Sequence, residues 1–108
     1  MKTKKINAAD LKKSLQTLPN SSLLIIDVRQ SEEYYLEHID NTINLPLVDL
    51  ASKPKDFWVY KIIIIIAKTK DEGLKACKIL ETVPQQELYY TYDSMKNFSE
   101  AKIRIIKT

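Results

Sequence analysis

The chain carries a single thiol, Cys77, and a single imidazole, His38. Chemistry that needs a sulfur nucleophile, or a side chain that titrates near neutrality, therefore rests on those two positions. One histidine with no nucleophile motif beside it makes no Ser-His-Asp arrangement, and a supporting, hydrogen-bonded role is the expectation for it. One cysteine excludes an internal disulfide. A single residue of each kind also excludes a His- and Cys-rich metal cluster, so neither metal nor cofactor is expected. Cys77 falls inside "DEGLKACKILETV" (71–83), which reads as a helix with Leu74, Cys77, Ile79 and Leu80 on its buried side. Reactive thiols sit in partly exposed, electropositive places, so this one is expected to be a small, inert core residue. The competing reading makes it a displaced nucleophile.

The stretch "IIIIIAKTKDEGLKACKIL" (62–80) reads as a buried strand, a short charged loop and a helix. In α/β enzymes such a loop often carries the reactive group, because the amides and dipole of the helix start hold anions. The residue just past the apolar run is Ala67, which offers no chemistry. Thr69-Lys70-Asp71-Glu72 has the form of a capping box, in which hydroxyl and carboxylate satisfy the helix's own first amides. With that box the helix starts at Lys70, and Asp71 and Glu72 occupy the place an external anion would take. With Asp71 as the N-cap instead, Thr69 and Lys70 stand in a more open loop. Lys68 and Lys70 read as solvated loop lysines, with anion binding as the alternative. Asp27 and Arg29 flank Val28 at a strand end, so they point to one face; with Glu33 nearby, the pattern reads as a structural ion-pair network.

The elements that must hold these residues follow from hydrophobic patterning. "KKI" (4–6) is a short strand, and "NAADLKKSLQTL" (7–18) a helix capped by Asn7 with Leu11, Leu15 and Leu18 on one stripe. "LLIIDV" (23–28), apolar but for Asp27, and "KIIIII" (61–66), apolar after Lys61, read as strands buried on both faces. "SEEYYLEH" (31–38) reads as a short helix capped by Ser31, and "NTINLP" as an extended return ending at Pro46. "LVDLASKPKDFWVY" gives a turn of helix and a loop. "ELYYTY" (87–92) is a strand, "SMKNFSEA" a short helix, and "KIRIIK" (102–107) a last strand at an edge. Aromatic runs at 57–60 and 89–92 are expected to pack in the core, where strand alternation sends half of each set. A partner or self-association face formed by the other half is the alternative. Alternating strands and helices, with doubly apolar strands, predict an α/β fold: a mainly parallel central sheet with helices on both faces.

Bulk composition narrows the function classes. With 108 residues the chain fits one domain, residues 1–108, able to bury roughly 65% of its unfolded surface. The 17 basic and 14 acidic residues leave only +3, scattered rather than striped, so neither nucleic acid nor membrane is an expected partner. The N-terminal positive charges precede no apolar segment, and the five isoleucines are far short of the about 20 residues a bilayer needs; a cytoplasmic location is expected. Gly73 is the one glycine, where average usage would give about 7 or 8. Neither GxGxxG nor GxxxxGK[ST] can be written with it, which removes the dinucleotide and P-loop classes.

Order and spacing resemble a known family. "LLIIDVRQSEEYYLEHIDNTINLP" is similar to the signature of rhodanese-like domains: an apolar strand ending in Asp-Val-Arg, a Glu-rich short helix, a His-Ile pair and an Asn-x-Pro exit. Here these are Asp27, Val28, Arg29, Glu33, His38, Ile39, Asn44 and Pro46. The likeness continues through the strand, loop and helix at 62–80 and through "YYTYDSMKNF", where Phe98 stands at the family's aromatic. It implies a loop that begins with a cysteine carrying a persulfide, cradled by backbone amides, and typically reading Cys-Arg-x-Gly-x-Arg-Ser. The seven matching positions here are Ala67, Lys68, Thr69, Lys70, Asp71, Glu72 and Gly73. The nucleophile is replaced by a methyl group, and the cradle glycine by Lys70. Other family glycines fall on Glu37, Asn41, Asp93 and Ser94. The expectation is therefore a rhodanese-like pseudoenzyme or regulatory module that binds a protein partner, with a sulfur carrier using Cys77 as the alternative.

Overall fold

The computed structural model describes residues 3–19, 21–52, 57, 59–81 and 87–108. The strands are β1 (Thr3–Lys5), β2 (Leu23–Asp27), β3 (Glu37–Ile39), β4 (Ile43–Asn44), β5 (Ile62–Ile66), β6 (Glu87–Thr91) and β7 (Ile105–Lys107). The helices are α1 (Ala8–Thr17), α2 (Ser31–Leu36), α3 (Leu47–Leu50), α4 (Lys70–Leu80) and α5 (Met95–Glu100). A five-stranded sheet in the order β1-β6-β5-β2-β4 is parallel at every pairing, with the isoleucine strand β5 at its centre. The α/β architecture read from the sequence is the one observed.

Period-two alternation explains how one run of isoleucines builds two cores. Ile63 and Ile65 face a cluster with Ile26, Leu50 of α3, and Ala76, Cys77 and Leu80 of α4. Ile64 and Ile66 face the other side, with Ile25, Leu11 of α1, and Met95 and Phe98 of α5. Among the described residues no helix is long and apolar enough to cross a membrane.

Several local expectations are corrected. The helix proposed for 31–38 stops at Leu36; Glu37, His38 and Ile39 form β3, paired antiparallel with Lys107, Ile106 and Ile105. Burial of Ile39 in the α1/α5 core and that cross-strand ladder outweigh local helix propensity. Ser31 does not cap α2: Gln30 stands at the N-cap without a side-chain bond, while the Ser31 hydroxyl donates to Asn44 Oδ1 at 3.0 Å. The last strand covers 105–107 and lies in the small two-stranded sheet, because Lys102 turns into the left-handed region (φ 68°) and Ile103 drops into the core.

On α4 the inward stripe is Gly73, Ala76, Cys77 and Leu80; Leu74 is 38% exposed and Ile79 only half-buried. The helix ends at Leu80, and residues 82 and 83, assigned to it from sequence, lie outside the described residues, as does Trp58 of the aromatic run. Phe57 and Tyr90 are buried and pack in the α3/α4 core, where Tyr60 and Tyr92 are half-buried.

Candidate functional site

Parallel strands deliver their C-terminal ends to one edge of the sheet, where α/β folds place ligands. Here β2, β5 and β6 end side by side, with Asp27 opposite Ile66 and Ile66 opposite Thr91 in register. The residues that follow, Val28–Arg29, Ala67–Lys68 and Tyr92–Asp93, surround a cleft of about 260 Å³ lined by Arg29, Glu33, Ala67, Lys68, Tyr92 and Asp93, with Glu37 and the start of α5 completing it. A larger groove of about 480 Å³ runs beside α1 at Ile62, Glu87 and Tyr89, at the opposite, N-terminal end of the strands. A second, of about 370 Å³, lies between α1 and Ile103–Arg104. Neither contains a residue singled out for chemistry.

The cleft wall is built on a buried ion pair. Asp27 is fully buried, and Arg29 nearly so. The Arg29 Nε donates to both Asp27 oxygens at 3.0 Å, and Nη2 stands 3.0 Å from Oδ2. The Arg29 amide also donates to Asp27 Oδ1 at 2.9 Å, folding the chain back on itself at the strand end. Two buried charges in this two-point geometry neutralise one another and keep their hydrogen bonds, which makes burial tolerable. A further bond from Arg29 Nη2 to the Glu37 carbonyl (2.7 Å) locks the start of β3. Asn44 completes the corner, its Nδ2 donating to the carbonyls of Asp27 (3.0 Å) and Arg29 (3.1 Å).

Glu33 does not join this network. It pairs instead with Lys68, Nζ to Oε2 at 3.2 Å, joining α2 to the loop after β5. His38 stands away from the cleft lining. Its ring stacks on Tyr34 (centroids 3.9 Å apart, planes at 14°), and its Nδ1 lies 2.8 Å from the Tyr34 carbonyl oxygen. Neither interaction connects it to a nucleophile.

At the loop, the Ala67 amide donates to the Thr91 carbonyl at 2.9 Å, continuing the β5–β6 ladder one residue past the strand. The residue is 2% exposed; it lines the cleft and belongs to the core cluster that Ile63 and Ile65 face. Thr69 is the N-cap of α4, which starts at Lys70; Asp71 is not the cap, and pairs with Lys75 at 3.0 Å. Only half of the capping box is present. The Glu72 amide donates to Thr69 Oγ1 at 3.2 Å, but the Glu72 carboxylate receives the Thr69 hydroxyl (3.2 Å) rather than the Thr69 amide. The Gly73 amide donates to the Thr69 carbonyl at 3.1 Å, the first turn of the helix.

Cys77 lies two turns further along α4, in the core between that helix and β6, and is 1% exposed. Its Sγ faces the Tyr89 carbonyl oxygen at 3.9 Å, and burial, reinforced by the Glu81 carboxylate, pushes the thiol up to about 12. A thiol of that pKa is protonated at neutral pH and has little nucleophilic character.

Tyr92, Asp93 and Ser94 were not singled out for chemistry in the sequence, although the end of the "ELYYTY" strand is the signal that places them here. Asp93 ties the site to the N-terminal helix, its Oδ2 accepting the Ala8 amide at 2.8 Å. Asn41 has φ 62°, so the left-handed backbone at this family glycine position is kept by a residue that tolerates it.

A parallel five-stranded α/β sheet with an Asp-Val-Arg corner and a strand–loop–helix cleft defines the class. The model of the Rhodanese-like domain matches residues 7–101, and the chain belongs to that family. It is similar in structure to the Alr3790 protein of Anabaena sp. (TM-score 0.78, 17% identity, 94% of this chain and 91% of that one). It is also similar to a thiosulfate sulfurtransferase of Pseudomonas aeruginosa (TM-score 0.73, 14% identity, 97% of this chain and 20% of that one). In sequence it is 36% identical over 63 residues to a probable molybdopterin-synthase adenylyltransferase of Gracilaria tenuistipitata var. liui, covering 54% of this chain and 18% of that protein. It is 26% identical over 100 residues to tyrosine-protein phosphatase 3 of Saccharomyces cerevisiae, covering 93% of this chain and 10% of that protein. The chain thus spans less than a fifth of the length of each of these curated relatives.

Proposed function

We propose that this chain is a rhodanese-fold module without sulfurtransferase activity, whose loop at 67–73 is a degenerate active site and which acts by binding a protein partner. The observation that carries this reading is Ala67: a buried alanine among the residues that line the cleft stands just past the central strand, where sulfur transfer would need a thiolate. The side chains around it favour the same reading. Thr69 and Glu72 bond to one another, Asp71 is engaged by Lys75, and Lys68 is engaged by Glu33. The one thiol of the chain is in the core, protonated and away from the cleft.

The curated relatives add context, since the part of each that is matched is a small fraction of its length, as suits an accessory module. The reading places the module in the cytoplasm, with neither nucleic acid nor membrane as partner; a net charge of only +3 supports that. Thiosulfate-to-cyanide transfer, measured on the wild type and on Cys77→Ala with folding checked by circular dichroism, tests the reading. Both proteins are expected to stay at the background rate. Turnover that disappears with Cys77 would overturn it.

A further inference from the structure

β7 leaves part of its main chain without a partner. In the β3–β7 ribbon the Asp40 amide donates to the Arg104 carbonyl at 3.0 Å, and the Thr108 amide to the Leu36 carbonyl at 3.1 Å. Bonded and non-bonded pairs alternate along an antiparallel ladder, so the bonded pair between these two is His38 with Ile106. Ile105 and Lys107 stand at the non-bonded positions, where amide and carbonyl point away from β3. Among the described residues nothing meets those groups. The outer edge of β3 is closed by contrast. There Arg29 Nη2 donates to the Glu37 carbonyl and the Thr42 hydroxyl to the Ile39 carbonyl, each at 2.7 Å. Ile105 is half-buried and Lys107 exposed, and with Lys96, Ser99 and Glu100 of α5 they line a hollow of about 360 Å³.

The strand that bears this edge is charged with one sign. Residues 102–108 include Lys102, Arg104 and Lys107 and no carboxylate. The acids that answer them are on β3 and just after it: Arg104 meets Asp40 at 3.7 Å and Lys107 meets Glu37 at 3.9 Å, in exposed pairs that contribute little. In the hollow Glu37 and Glu100 balance Lys96 and Lys107. A strand laid along the open edge therefore has cations as its cross-strand neighbours, with those carboxylates one strand further off or on α5.

We propose that the outer edge of β7 is a docking edge for an extended, acidic segment of a partner protein, which adds as a strand beside Ile105–Lys107. The proposal rests on the binding-module reading and gives the partner its chemistry. Main-chain bonds to Ile105 and Lys107 supply affinity, and side-chain charge supplies selection, since opposite charges on neighbouring strands attract and like charges repel. A second copy of the chain is disfavoured on the same ground. An antiparallel pair of β7 strands sets Arg104 and Lys107 of both copies along one short ladder.

The test uses the full chain labelled with nitrogen-15 and two synthetic six-residue peptides, one alternating glutamate with valine and the other lysine with valine. In the free chain the amides of Ile105 and Lys107 are expected to exchange with solvent near the unprotected rate, and that of Ile106 more slowly. The glutamate peptide is expected to shift the Ile105 and Lys107 amides saturably and to slow their exchange; the lysine peptide is expected to do neither. Arg104→Glu combined with Lys107→Glu should weaken the glutamate peptide by about tenfold and reverse the preference between the two. Protected Ile105 and Lys107 amides in the free chain would overturn the proposal. So would shifts confined to other residues, a lack of saturation, or equal responses to the two peptides. Shifts at Ile105 and Lys107 that follow protein concentration alone would make the occupant a second copy, which overturns it as well. None of these failures touches the absence of sulfur transfer, which is read by turnover, and turnover does not bear on this edge.

Discussion

Gly73 and Tyr90 are in such close contact that a Cβ added to the glycine would fall 2.8 Å from Tyr90 Cδ2 and 3.4 Å from its Cβ. Gly73 is in the first turns of α4 and Tyr90 is buried on β6, so the contact sets how closely the helix after the cleft loop rests on the sheet. The one glycine of the chain is placed for packing, in a helix of ordinary negative φ. Gly73→Ala gains about 1 kcal/mol of helix propensity but overpacks a buried ring, at a cost of about 1–3 kcal/mol. A net loss of up to about 2 kcal/mol is expected in urea unfolding, and a raised midpoint would contradict the contact.

The Asp27–Arg29 pair should behave very differently from the exposed pairs. Asp27→Ala leaves a buried guanidinium without its counter-charge and is expected to destabilise the fold by about 3–5 kcal/mol. Lys68→Met, which removes a surface partner, should shift stability by about 0.5 kcal/mol or less. Equal effects of the two substitutions in denaturant unfolding would show that the Asp-Val-Arg corner is not the anchor of the cleft.

Burial of Cys77 gives stability a dependence on alkaline pH. The folded state holds the thiol proton up to about pH 12, while the unfolded chain releases it near 9.0. Between those values the unfolded state binds fewer protons, so stability falls as pH rises. This contribution is whole below pH 9 and is lost progressively toward 12. Comparing wild type with Cys77→Ala from pH 8 to 11 isolates it, and the stability advantage of wild type over the variant should shrink as pH rises above 9. A pH-independent difference would mean that the thiol is not desolvated.

At the end of α5, the amides of Lys102 and Ile103 donate to the carbonyls of Ser99 and Phe98, both at 3.0 Å, with Lys102 at φ 68°. This arrangement usually takes glycine, because a Cβ in the left-handed region costs roughly 1–2 kcal/mol. Lys102→Gly is expected to stabilise the chain by about 0.5–1 kcal/mol, part of the relief being offset by the freer unfolded chain. A lower thermal midpoint for the variant would contradict the turn.

What could be read in the sequence was what neighbouring residues decide among themselves. The isoleucine run and "LLIID" made strands because four or five consecutive apolar residues have to be covered on both faces. Asn7 and Thr69 capped helices because each has an amide three residues on to accept from. The misreadings came where a distant segment decides. Glu37–Ile39 is a strand only because residues 105–107 come back to pair with it. The stripe on α4 runs through Gly73 rather than Leu74 because Tyr90 leaves room there for a residue without a Cβ. Glu33 turned from Arg29 to Lys68 because the sheet register brings α2 beside the β5 loop, a neighbourhood that spacing along the chain does not reveal. The site residues were thus legible as types and strand ends, but their pairings were not.

Loading with sulfane sulfur tests the central claim most directly. Purified protein is incubated with thiosulfate, and intact-mass spectrometry is used to look for an added sulfur, with peptide mapping to locate any that is found. No adduct is expected, because the loop after the central strand begins with Ala67, which has no thiol, and Cys77 is protonated within the core. A persulfide formed on Cys77 of the folded protein, and removed by cyanide, would contradict the account.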